Sequence, residues 1–168
     1  DGLDPSSINR MLSALRSFLK FRIEWDLEIP LPPDAIGMMK AEKKIKKIPP
    51  MEDMIRLIES PMEFEKDEKV ALRNRCMLEM LFATGMRISE LCTLTTEQIN
   101  FNDYVIKIYG KGSKERLIQI CNKNVQKLMD EYRTEFNFEL NNYNYFFINR
   151  LNNRLSEQSV RNMIADYT

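Results

Sequence analysis

The stretch LFATGMRISELCTLTTEQINF, residues 81–101, decides how this 168-residue chain folds. An apolar run ends at Thr84-Gly85, and Arg87 follows at once among side chains whose spacing indicates burial. Glycine accepts the left-handed conformation that ends a helix, so Gly85 predicts a break between two helices. A guanidinium stays protonated in proteins, and placing it against a core is costly unless an anion meets it. We therefore expect Arg87 to be mostly shielded, facing a concave surface, with an anion as its partner.

The composition is that of an ordinary globular protein, with 43% hydrophobic and 30% charged residues. No apolar run approaches the roughly 20 residues of a membrane helix, and no signal-peptide pattern is present, so we expect a cytoplasmic protein without membrane contact. Cys76, Cys92 and Cys121 form no C-x-x-C pair, and we expect small core residues in a reducing compartment. The chain contains no histidine, which argues against zinc and imidazole catalysis. No metal and no cofactor are therefore expected.

The net charge is zero, whereas a DNA-binding domain is commonly basic. The distribution of charge matters more than its sum. The segment KAEKKIKKIPP, residues 40–50, places five lysines and one glutamate within eight positions before two prolines. Such a run is usually a solvated linker, and contact with the phosphates of duplex DNA is the alternative.

The N-terminal segment predicts one amphipathic helix, with Asp4 as N-cap and Pro5 at the first helical position. Its apolar residues recur at helical spacing, and its polar residues share the opposite face. One helix cannot fold alone, so its apolar stripe must pack on partners that are either missing from this chain or supplied by its second part. The stripe consists of Ile8, Met11, Leu12, Leu15, Phe18 and Leu19, and the polar face of Asn9, Ser13, Arg16 and Lys20.

The remainder of the chain predicts further helices from Pro50, over about 67–83, from near Met86, over about 122–137 and after a Ser156 cap. In the helix from Pro50 we expect Met54, Ile55 and Ile58 to face inward, and in the helix from Met86 we expect Ile88, Leu91 and Leu94 to be buried.

Two alternating runs, residues 103–110 and 114–120, predict a β-hairpin joined through a glycine-containing turn with a mobile tip. The segment YNYFFINR is a third strand or an extended connection. The fold class is therefore mostly α with a small antiparallel β-hairpin or sheet, α+β. The turn GKGSK, residues 110–114, is not a P-loop, because Val105 replaces the required glycine and a strand follows. A solvated turn is the favoured interpretation of the hairpin taken alone.

Two motifs occur in order, T-G-x-R-x-S-E-L around Arg87 and, 24 residues later, G-K-G-x-K-E-R around Lys111. Together with RMLSALRSFLKF and VIKIYGKGSKERLIQI, they resemble the tyrosine recombinase (phage integrase, XerC/XerD-like) family. The resemblance implies cleavage and rejoining of duplex DNA through a phosphotyrosyl intermediate, by a protein that forms a homo-oligomer on DNA. It also implies that residues 1–28 are the last helix of a core-binding domain, 29–48 a basic linker and 49–168 the N-terminal part of a catalytic domain.

The resemblance implies roles for individual residues. Arg87 matches the first catalytic arginine, whose planar fork suits the scissile phosphate, so the expected anion is a DNA phosphate. Glu90 matches the acidic residue that orients this arginine, and a plain salt bridge is the alternative. Lys111 matches the lysine that protonates the departing 5′ oxygen. Contacts with the DNA backbone are expected from Arg16, Lys20, Lys43, Lys44, Lys46, Lys47, Lys114 and Arg116.

The chain also departs from the family pattern. It contains no H-x-x-R motif, and Tyr167 and the other tyrosines match no family position. We expect residues 156–168 to be the helix before that motif, and the chain to be a fragment that lacks the nucleophile and is inactive alone. Two alternatives remain open: a shortened relative that binds DNA or a full-length partner without cutting, and a helical interaction module unrelated to DNA.

Overall fold

The computed structural model describes residues 2–40, 48–110 and 115–168, which form two compact units, Asp1–Ile48 and Pro49–Thr168. Helices dominate both. They are α1 (Pro5–Glu24), α2 (Met51–Glu59), α3 (Pro61–Phe64), α4 (Glu68–Thr84), α5 (Ile88–Thr93), α6 (Lys123–Glu135), α7 (Asn137–Asn142) and α8 (Glu157–Asp166). The strands are β1 (Ile99–Asn100), β2 (Val105–Tyr109) and β3 (Glu115–Gln119). Across these described ranges, no helix combines the length and the apolar character needed to span a bilayer.

The first unit is α1 with the segment that follows it. Asp4 Oδ1 accepts a hydrogen bond from the Ser6 backbone N at 2.8 Å, and Pro5 begins the helix, as predicted. The chain then folds back along α1 through a short 3-10 turn at Pro33–Ala35. Asn9 fixes this return, since its side chain donates to the Met39 carbonyl at 2.8 Å and accepts from the Met39 N at 2.7 Å.

The returning segment does not cover the predicted apolar stripe of α1. Leu19 is buried, but Met11, Leu15 and Phe18 are exposed. The returning segment instead bonds to Asn9 and approaches Arg16, two residues predicted for the opposite, polar face. The packed face of α1 is therefore rotated toward those polar positions.

The core of the second unit is built around α4. Asp67 caps this helix by accepting from the backbone N of Lys69 and Val70, and Gly85 ends it at φ +61°, as the sequence predicted. Cys76, Met77 and Met80 of α4 lie in the core. Leu91 and Leu94 are buried as expected.

Three predictions of burial in the second unit were wrong. Ile55 is about half exposed, because α2 packs through the face that carries the buried Ile58. Ile88 is only half-buried, since it lies in the first turn of α5 beside the exposed Arg87. Cys121 is exposed rather than in the core, because it follows the end of β3 just before α6.

The strands form one antiparallel sheet in the order β1-β2-β3. The predicted pairing of β2 with β3 is confirmed, with Ile106 opposite Ile118 and Ile108 opposite Arg116. The short β1 adds a third strand that the sequence pattern did not predict. The segment YNYFFINR is an extended connection with isolated bridges at Tyr145 and Ile148, and its two phenylalanines pack against Tyr132. The predicted mobility of the hairpin tip concerns residues outside the described ranges.

A polar network joins α4 to both ends of the second unit. The buried Asn74 donates from Nδ2 to Glu65 Oε1 at 2.9 Å and to the Tyr167 hydroxyl at 2.7 Å. Tyr167 in turn donates to Glu65 Oε1 at 2.6 Å. Arg73 donates to Asn74 Oδ1 and to the Ile148 carbonyl. The network ties the residue after α3 to the C-terminal cap of α8.

Candidate functional site

Arg87 is the N-cap residue of α5, one position before the helix begins. Its backbone is extended, at φ −72° and ψ 151°, which directs its side chain away from the buried neighbours Met86 and Leu91. The side chain is 68% exposed, so the expectation that Arg87 is mostly shielded was wrong. An anion does meet it within the chain: Arg87 Nη1 donates to Glu90 Oε1 at 2.9 Å.

Glu90 is the centre of the site, and its side chain is only 7% exposed. Oε1 accepts from Arg87 Nη1 and Arg116 Nη1, both at 2.9 Å. Oε2 accepts from the Arg87 backbone N at 2.8 Å and Arg116 Nη2 at 2.7 Å. The contact with the Arg87 backbone is the half of a capping box that the acidic residue supplies. A buried carboxylate with this many donors is held in one orientation.

The electrostatics of the site follow from these contacts. The hydrogen bonds from Arg116 are the main cause that lowers the pKa of Glu90 to about 2, and those from the Arg87 backbone and side chain add to them against the opposing effect of burial. The same pairing with Glu90 raises the pKa of Arg116. Two guanidinium groups on one carboxylate leave one positive charge uncompensated, and Arg87 is the more exposed of the two.

Arg116 was predicted to contact the DNA backbone, and the structure brings it to Glu90. It lies on β3 with its side chain on the same face as Ile118. The pattern E-R-L-I-Q contains the signal that sequence analysis missed, because alternation places Arg116 and Ile118 on one face of the strand.

Of the other predicted site residues, the structure describes two, both in the first unit. Arg16 belongs to the first unit, where its Nη2 lies 3.3 Å from Asp34 Oδ1, and Lys20 is exposed on the same helix. The remaining predicted cations lie outside the described residues, and they are Lys43, Lys44, Lys46, Lys47, Lys111 and Lys114.

Four of the six tyrosines have hydroxyl groups in hydrogen bonds. Burial, reinforced by the bond to Glu65, raises the pKa of Tyr167 to about 12. The bond to Asp130 raises the pKa of Tyr104, and burial raises that of Tyr132. A raised pKa disfavours the phenolate, so none of these three hydroxyls is activated as a nucleophile.

The sequence profile of the phage integrase family matches residues 52–168, which include the whole site. A tyrosine recombinase of Agathobacter rectalis is 50% identical over 97 residues, covering 58% of this chain and 32% of the relative. Tyrosine recombinase XerD of Chlorobaculum tepidum is 31% identical over 169 aligned positions, covering 99% of this chain and 55% of the relative. The chain thus spans about a third to a half of these curated relatives.

Solved structures share the fold. The XerH site-specific recombinase bound to difH substrate superposes with a TM-score of 0.67 at 22% identity, over 99% of this chain and 48% of XerH. A lambda integrase tetramer bound to a Holliday junction superposes with a TM-score of 0.69 at 14% identity, over 96% and 46%. The helices around a three-stranded antiparallel sheet are thus the fold of the tyrosine recombinase catalytic domain. The chain belongs to the phage integrase family.

Proposed function

We propose that this chain is part of a site-specific DNA recombinase, in which Arg87 binds the scissile phosphate during strand cleavage through a phosphotyrosyl intermediate. The observation that supports the proposal is that the Arg87 guanidinium is held in place and is still accessible. Glu90 fixes it through one Nη atom, while most of the side chain is exposed to solvent. A preorganised guanidinium with open donors can bind two phosphate oxygens and stabilise the charge that develops in the transition state.

The proposal assigns the other groups by their chemistry. Lys111 would protonate the departing 5′ oxygen, a role suited to an ammonium group on a long stem. The lysines of 43–47, with Lys114, Arg16 and Lys20, would contact the backbone of duplex DNA, and residues 1–28 and 29–48 would be the core-binding helix and the linker. The solved neighbours include a lambda integrase dimer on a core site and a tetramer on a Holliday junction, and we propose a homo-oligomer on DNA for this protein too. The protein would act in the cytoplasm.

We further propose that the 168 residues are not sufficient for cleavage. The chain contains no histidine and hence no H-x-x-R motif. Phosphoryl transfer requires an in-line nucleophile, and the tyrosines with raised pKa values are engaged as donors. The greater length of the relatives agrees with a further segment that supplies these groups.

A nicked suicide duplex and a denaturing gel test this proposal. The 168-residue chain should form no covalent adduct. Joining it to the C-terminal remainder of Chlorobaculum tepidum XerD should restore an adduct, and Arg87→Ala should then slow its formation by about 10²- to 10³-fold, by analogy with losing an oxyanion donor. Arg87→Lys should rescue little, because an ammonium cannot bind bidentately.

Lys127→Ala is the matched control, because Lys127 is an exposed cation paired with Glu131 on α6 and should not affect the rate. A joined protein that is indifferent to Arg87→Ala would contradict the catalytic role of Arg87. An adduct formed by the 168-residue chain alone would contradict the proposal that it is not sufficient for cleavage. The lack of a histidine also favours a second candidate function, that of a relative that binds DNA without cutting it. This second candidate predicts that the joined protein binds duplex DNA but forms no adduct.

A further inference from the structure

We infer that Arg116 is a positioning residue: it holds both oxygens of Glu90 and thereby keeps the Arg87 guanidinium available for a phosphate. This inference rests on the proposed function for the phosphate, but the arrangement of the three side chains stands on the geometry alone. It also replaces the sequence-based expectation that Arg116 itself contacts the DNA backbone.

The position of Arg116 in the sheet supports this role. On β3 it shares a face with Ile118, and in the register it lies opposite the buried Ile108 of β2. Leu117, on the other face of the strand, is exposed. An arginine on the inward face loses much of its hydration and requires an acceptor. Glu90 supplies that acceptor through two parallel bonds, at 2.9 and 2.7 Å.

The way in which the donors share the two Glu90 oxygens shows what Arg116 prevents. A carboxylate and a guanidinium favour a bidentate pair, so an unoccupied Glu90 would draw both Nη atoms of Arg87 onto itself. With Arg116 on both oxygens and the Arg87 backbone N on Oε2, the Arg87 side chain makes one hydrogen bond to Glu90, from Nη1 to Oε1. The Arg87 side chain as a whole is 68% exposed, so its other donors are accessible to a ligand.

The arrangement also joins two elements. Glu90 lies in the first turn of α5, while Arg116 lies on β3. The Glu90–Arg116 pair therefore fixes the position of β3 relative to α5.

A double-mutant cycle on salt-dependent duplex binding tests the inference with the 168-residue chain. The variants are Arg87→Gln, Arg116→Gln and the double variant, with Lys127→Gln as the control for the loss of a remote surface charge. Each lost phosphate contact flattens the slope of log affinity against log salt by about 0.9. If Arg116 acts through Arg87, each single variant loses about 0.9 and the double variant loses no more than either. Independent losses that add to about 1.8, or no loss in Arg116→Gln, would overturn the inference.

Arg116→Lys separates positioning from charge. It keeps the positive charge but cannot bind both oxygens of Glu90. We expect it to behave like Arg116→Gln, and a slope equal to that of the unsubstituted chain would overturn the inference. Near-ultraviolet circular dichroism confirms that each variant is folded.

A second measurement does not depend on DNA. Carbon NMR of the Glu90 carboxyl group should show a midpoint at low pH in the unsubstituted chain, and Arg116→Gln or Arg116→Lys should raise it by about one unit or more. An unchanged midpoint would overturn the inference. If the unsubstituted chain binds no duplex, the proposed function fails, and this titration still decides whether Arg116 holds Glu90.

Discussion

At the scale of single residues, one carboxylate organises the site. The spacing of Arg87 and Glu90 predicted their pairing, because residues three apart lie on the same side of a helix. The exposure of Arg87 could not be predicted, because it depends on the extended backbone of the N-cap and not on a helical face. The contact from Arg116 could not be predicted either, since it depends on how β3 packs against α5.

Replacing the central carboxylate should destabilise the protein. We expect Glu90→Gln to lower the free energy of unfolding at pH 7 by about 1 to 2 kcal/mol, a value discounted because the two arginines remain partly solvated. Urea unfolding measures this loss. Glu131→Gln, at an exposed pair on α6, is the control and should change little. A Glu90→Gln variant as stable as its parent would show that the pairing contributes no net stability.

The low pKa of Glu90 also predicts a pH dependence. A carboxyl group whose pKa falls from 4.5 to about 2 on folding stabilises the protein above pH 4.5, and this contribution is lost as the pH falls toward 2. The difference in stability between the unsubstituted chain and Glu90→Gln should therefore be constant from pH 7 to 5 and shrink below that range. Urea unfolding over this pH series measures it, and a difference that widens on acidification would contradict the assignment.

At the scale of elements, the helices predicted with a clear cap or break are present. Asp4 and Ser156, the two predicted caps, each accept from a backbone N–H group at the start of a helix, and Gly85 ends α4 as predicted. The sequence did not predict β1, of two residues, or α7, of six, because so few positions show no recognisable period. The sequence also did not predict that the segment after α1 contacts Asn9 and Arg16, because periodicity does not show which face of a helix a particular segment covers.

The break between α4 and α5 depends on the backbone of Gly85. We expect Gly85→Ala to destabilise the protein by about 1 to 2 kcal/mol, because φ is +61° and an L side chain is strained there. No atom lies within 4 Å of an added Cβ at Gly85 or at Gly37, so the two positions differ in backbone conformation and not in space. Thermal unfolding should show little change for Gly37→Ala. Equal losses in both variants would refute the conformational argument.

The Asn74 network should matter more than any exposed amide. We expect Asn74→Ala to cost about 1 to 3 kcal/mol, since Glu65, Tyr167 and Arg73 each lose a partner in a partly buried site. Asn141→Ala, on the exposed side of α7, is the control and should be close to neutral. Urea unfolding compares them, and a neutral Asn74→Ala would show that solvent replaces the lost partners.

At the scale of the whole molecule, the net charge of zero conceals local concentrations of positive charge. The uncompensated positive charge lies at Arg87, and the lysines of 40–47 are concentrated in one segment. The proposed function therefore predicts weak association with duplex DNA, with little preference for sequence, because phosphate contacts position a protein without specifying bases.

Duplex binding by the 168-residue chain tests this account most directly. Fluorescence anisotropy of a labelled duplex, measured between about 50 and 200 mM salt, should show an affinity that falls steeply as salt rises. Arg87→Gln should weaken binding and flatten the slope by about 0.9, while Lys127→Gln should leave the slope unchanged. No binding of duplex at the lowest salt, or the same slope with and without the Arg87 guanidinium, would contradict the claim that Arg87 binds a DNA phosphate.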